Sequence, residues 1–133
     1  MENITNNATE ILLLFFLLIT FLQSGIDKLV DWKGNLSWLT GHFAESPLKN
    51  MVPMLLGIVV ITEMIAGILS AVGLFQIVTA GESQLAFYSA IVSCVALLML
   101  LFGQRMAKDY EGAKTIAVYF IPAIFLVFLL QAY

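Results

Sequence analysis

The sequence predicts an all-α membrane protein: a single domain, residues 1–133, of four transmembrane helices in a bundle. Three observations carry that prediction. Of the 133 residues, 61% are hydrophobic and 11% charged, whereas a soluble domain is nearer half apolar and a quarter charged. The mean hydropathy is +0.98. Four apolar stretches approach the roughly 20 residues that a helix needs to cross hydrocarbon, which leaves little chain for a soluble domain.

The first predicted span covers residues 8–30. Ile11 to Leu22 is apolar throughout except for Thr20. Gln23, Ser24, Gly25, Asp27 and Lys28 then arrive before Leu29 and Val30 resume the apolar run. Trp32 marks a membrane–water boundary, so Asp27 and Lys28 sit about one turn inside it at 1.5 Å of rise per residue. Charges so close to hydrocarbon are costly unless paired, hydrated or able to snorkel out.

The segment 31–50 is expected to hold a short interfacial helix or re-entrant loop over Leu36 to Phe43, where Leu36, Trp38, Leu39 and Phe43 leave an apolar edge. Asn35 or Asn50 is a candidate helix cap, and Ser46-Pro47 has the form of an N-cap followed by Pro. The second span covers 51–77, with Pro53 in its first turn. Gly57, Gly67, Ser70, Ala71 and Gly73 give it small faces, and the Gly67/Ala71 spacing allows close approach of another backbone. Glu63 lies in its middle, roughly 15 Å past Pro53.

A tight connection containing Gly81 leads to the third span, 84–102. There Ala86, Ala90 and Cys94 form one small-residue row, and Ser89 and Ser93 another. Residues 103–114 are a polar connection in which Arg105 and Asp109 stand at i,i+4 spacing. The fourth span covers 115–130. Pro122 within it is expected to kink it and free a carbonyl near Val118. Gln131 and Tyr133 are expected at an interface.

All six Lys and Arg residues flank the first and third connections. The positive-inside rule places those connections in the cytoplasm and both termini outside. The basic residues are scattered, which excludes a nucleic-acid surface. One cysteine, Cys94, excludes dithiol chemistry and reads as a packing residue. No metal cluster, catalytic triad or phosphate loop is present. Neither a cleavable signal peptide nor a lipidation motif is expected. Three Asn-x-Ser/Thr matches, at Asn3, Asn7 and Asn35, carry little weight because the pattern is short.

Four residues are candidates for chemistry. Glu63 near the bilayer centre must be protonated, hydrogen-bonded or paired. It is a proton site or headgroup contact on the functional reading and an interhelical hydrogen bond on the structural one. Lys28 and Asp27 either face the second span toward Glu63, which requires tilt or offset, or stay at the interface with Lys28 snorkelling beside Asp31. His42, the sole histidine, is a headgroup or haem contact or proton relay on one reading and an interfacial polar residue on the other. The third connection is either a hairpin end laced by ion pairs or a contact for a partner or anionic lipid.

Two stretches resemble the DoxX-like family of small four-helix membrane proteins of the bacterial inner membrane. The first is Phe21-Leu22-Gln23-Ser24-Gly25-Ile26-Asp27-Lys28-Leu29, and the second is Glu63-Met64-Ile65-Ala66-Gly67 with Gly73-Leu74. The resemblance covers the first two spans through these motifs and the last two only as hydrophobic segments. It implies an inner-membrane accessory subunit working beside other membrane-protein subunits in a complex linked to respiration or redox chemistry. The positions that the resemblance carries over are Gly25, Lys28 and Glu63, without an assigned role; quinone is the candidate ligand, and Glu63, Lys28, Asp27 and His42 are the candidate contacts for a quinone or other polar headgroup. No self-contained enzymatic activity is expected. The alternatives are a quinone-interacting anchor of an oxidoreductase, an assembly factor, a transporter or a proton channel.

Overall fold

Short polar turns join long apolar helices in a computed structural model that describes residues 2–131; the expectation for Tyr133 lies outside them. The helices are α1 (Glu2–Asn6), α2 (Ala8–Val30), α3 (Trp32–His42), α4 (Val52–Ala80), α5 (Gln84–Met106) and α6 (Tyr110–Gln131), with a 3₁₀ turn at Lys49–Met51. Four of them, α2, α4 (with the 3₁₀ turn before it), α5 and α6, are long and apolar enough to cross a membrane. The fold is an all-α bundle in which successive long helices pack side by side, α2 on α4, α4 on α5 and α5 on α6. Contact between α2 and α6, which closes the ring, is much lighter.

The core is thin, as lipid requires. Leu14, Leu17, Phe21, Ile77 and Leu126 are almost fully buried, while Leu12, Phe75, Ile121 and Phe128 point outward. In the spans 22% to 39% of residues are buried inside the chain, so most of the apolar surface is left for hydrocarbon. Ser70, Ser89 and Ser93 are fully buried, and each hydroxyl donates to a carbonyl of its own helix, which removes the cost of an unpaired donor.

Glycine sets the spacing of the helices. A Cβ on Gly67 would lie 3.0 Å from the Leu22 backbone, and one on Gly73 would lie 2.8 Å from that of Ala86. Gly67 therefore brings α2 close and Gly73 brings α5 close. Ala71, expected to share the Gly67 seam, is exposed instead. On α5, both small-residue rows face the interior. Gly81 ends α4 in the left-handed conformation, φ 70°, the ordinary glycine stop.

These contacts also fix the register. Leu22 lies opposite Gly67 and Gly25 opposite Met64, so the antiparallel run brings Val30 level with Val59. Residues 52–58 of α4 thus project past the end of α2, by about 10 Å at 1.5 Å per residue. α3 covers this projection. It begins at Trp32, four residues before the expected start, and it is a regular helix rather than a re-entrant loop. Asp31 caps it by accepting from the Gly34 amide at 3.2 Å. Asn35 is not the cap; its amide donates to the Asp31 carbonyl. Asn50 lies within the 3₁₀ turn. Ser46 accepts from the Leu48 amide, but no helix starts there.

α5 extends four residues beyond its expected end and α6 begins five residues early, because the polar 103–114 segment is itself mostly helical. Asp109 caps α6 through the Gly112 amide at 2.9 Å. That use of its carboxylate, with α5 ending at Met106, replaces the expected Arg105–Asp109 pair; Arg105 lies over the Tyr110 ring, 5.3 Å from its centroid. α6 continues unbroken through Pro122.

Gly67→Leu is expected to force α2 away from α4 and destabilise the fold by at least the ~1–3 kcal/mol of an overpacked core, read as a lower thermal midpoint in mild detergent. Ala71→Leu, on the outward face, should leave that midpoint nearly unchanged.

Candidate functional site

The register that lets α4 overrun α2 also brings Lys28 and Glu63 together. Lys28 lies half a turn from the end of α2, and Glu63 lies three turns into α4. Because two of those turns project beyond α2, the two residues meet at nearly the same depth. Lys28 Nζ is 3.0 Å from Glu63 Oε1, with side chains 20% and 3% exposed. Ser24, one turn before Lys28, completes the group. Its hydroxyl donates to Glu63 Oε2 at 2.7 Å and accepts from Lys28 Nζ at 2.5 Å.

The three side chains form a closed set of polar contacts, Lys28 to Ser24 to Glu63 and Lys28 to Glu63. Lys28 does not snorkel toward Asp31, which is committed to capping α3. This is the only Lys or Arg ion pair among the described residues. Glu63 Oε1 is buried and makes no hydrogen bond of good angle there; its contact with Lys28 is an oblique charge contact.

A cavity of about 480 Å³ reaches this group. It opens in the lightly packed gap between α2 and α6, with Gln23 and Asp27 on one side and Ile116 and Tyr119 on the other. Glu63 and Leu97 form its floor. Asp27 is exposed, and its side chain has no hydrogen bond or ion pair among the described residues, so it stands at the mouth rather than in the buried set. Gln23 and Tyr119, which sequence reasoning did not single out, face the same space. Gln23 carried a signal as a polar residue interrupting the first span.

His42 belongs elsewhere. Its Nε2 lies 2.9 Å from Gln104 Oε1 and 3.5 Å from Asp109 Oδ2, and its ring stacks on Trp38 with centroids 4.6 Å apart. It fastens the end of α3 to the α5–α6 turn and lines neither the Glu63 cavity nor its mouth. Gln104 and Asp109 had no signal in the sequence as partners of His42. Glu10, also unforeseen, is buried in the first turn of α2.

Among the described residues no His, Cys, Asp and Glu group is arranged to hold a metal ion. The donors and acceptors around Lys28 suit a carbonyl or hydroxyl headgroup. Comparison with protein-family models, curated proteins and solved structures gives no match for this chain.

Removing one partner of a buried ion pair strands the other, at a cost of about 3–5 kcal/mol. Glu63→Ala should fall near the lower end, because Lys28 keeps some exposure. Glu63→Gln should lose less, since an amide still accepts from Ser24. The double change Lys28→Met with Glu63→Leu should recover most of the loss, measured by thermal unfolding in detergent. His42→Ala should speed amide exchange in residues 31–48 by about fivefold, the worth of roughly 1 kcal/mol of hydrogen bonding, without moving the global midpoint.

Proposed function

We propose that this chain is a DoxX-like accessory subunit of a larger, redox-linked complex in the bacterial inner membrane. In that setting its Lys28–Ser24–Glu63 group contacts the headgroup of a quinone-class amphiphile. The observation that carries the reading is a buried ion pair between two spans at the floor of a cavity that opens laterally. Intramembrane ionisable groups of this kind mark ligand or proton sites. The third proton of the Lys28 ammonium would go to a headgroup oxygen, with Ser24 and Glu63 holding that ammonium in place. Such a ligand supplies reversible two-electron, two-proton chemistry when bound; the chain contributes orientation and a low-dielectric wall.

The residues that carry the family resemblance support the same reading. Gly25 and Gly67 lie in the α2–α4 seam, and Lys28 and Glu63 join across it. The orientation proposed is cytoplasmic for the α3 end, with both termini outside. All six basic residues lie at or near that end of the bundle, while the opposite end carries Glu2, Glu10 and Glu82 with no Lys or Arg. The outward apolar faces of the spans meet lipid and the helices of partner subunits.

Purification from native membranes in mild detergent tests the proposal. Quinone and stoichiometric respiratory or redox subunits are expected by mass spectrometry. Lys28→Met and Glu63→Gln should keep the subunits and lose the quinone. A lone chain without quinone, from membranes rich in it, would overturn the reading.

A further inference from the structure

A second cavity, of about 560 Å³, lies on the other side of Lys28. α3 roofs it with Leu39, and Phe43 follows just beyond that helix; Leu55 and Val59 of α4 and Met99 and Gly103 of α5 form the walls. Its lining contains only two polar side chains, Lys28 and Gln104, and Gln104 is already turned to His42. Lys28 and Leu100 line both cavities. The polar cleft between α2 and α6 and the apolar chamber between α4 and α5 thus adjoin at Lys28 and Leu100.

We propose that this chamber holds the hydrocarbon chain of the amphiphile whose headgroup contacts Lys28, an inference that rests on the headgroup reading above. Its volume falls within the roughly 300–1,000 Å³ of small-molecule sites. It is open on one side, where Ile58, Leu98 and Phe102 of its lining are exposed, so the hydrocarbon around the spans has access to it. The walls offer water almost no polar partners, which leaves hydrocarbon. Moving a chain from bilayer to chamber gains almost nothing hydrophobic, because lipid tails are as apolar as leucine. A chain remains there only if its own headgroup is anchored, and Lys28 is the one available anchor. The occupant is therefore a tethered chain and not that of a passing phospholipid.

The test is photolabelling of the whole protein in nanodiscs with a benzoquinone whose decyl tail ends in a diazirine, mapped by peptide mass spectrometry. Label is expected within residues 51–59 and 95–103. It should fall severalfold with excess unlabelled decyl-benzoquinone and in Val59→Phe, which fills the chamber and leaves Lys28, Ser24 and Glu63 in place. Label spread over outward residues such as Leu12, Phe75 and Phe128 overturns the proposal. So does equal chamber labelling by a diazirine phospholipid that the quinone does not displace. Binding of tail-less methyl-benzoquinone is measured alongside. If it is absent while chamber labelling persists and is competed, the chain is held without an anchor at Lys28, and the headgroup reading fails together with the tethering. If it is present while label stays outside the chamber, the chain site alone fails.

Discussion

A lysine and a glutamate inside hydrocarbon hold this structure to a narrow set of geometries. Neither can be left alone there, since an isolated charge in a low-dielectric interior costs several kcal/mol even after relaxation. They meet only because α2 and α4 approach closely. Gly25 faces Met64 and Gly67 faces the Leu22 backbone, both on the side of the pair toward the start of α2. A larger residue at Gly67 would widen the seam, and Ser24 would no longer bridge. The small residues and the charges thus form one device: the first set the distance, and the second require it.

That seam also fixes how far α4 extends beyond α2. The projecting turns could not stay bare at a membrane surface where their Val52, Leu55 and Leu56 side chains need cover. α3 supplies it, folding back from Asp31 one residue after α2 ends. None of its own residues is buried. Its far end is secured by His42 against Gln104 and Asp109. The bundle is rigid along its spans and lightly roofed at one end, and both cavities lie at that end.

Much of this was legible in the sequence. Hydropathy alone gives the four spans, because only long apolar helices suit a bilayer. Glu63, Lys28 and the small rows of α5 stand out against their surroundings. The depth of the pair did not. Counted from the start of the second span, Glu63 lies two turns too deep for Lys28, and only the register set by Gly67 and Gly25 removes that difference. Ala71 shows the converse: a spacing suited to close packing does not say which face is packed. His42, the lone histidine, was readable as a headgroup contact or as an interfacial polar residue, but its partners were not readable. Its partners are 62 or more residues away in sequence, and no local pattern encodes such a pairing. Asp109 looked like half of an ion pair, whereas helix capping is the stronger local use for an aspartate at that point.

The ion pair also bears on how the chain enters the membrane. Lys28 is synthesised 35 residues before Glu63. An α2 without α4 would carry a cation with no carboxylate across the seam, and a lone cation favours the aqueous side. The buried position of Lys28 therefore requires both helices, which makes α2 with α4, rather than either helix alone, the unit to follow during insertion.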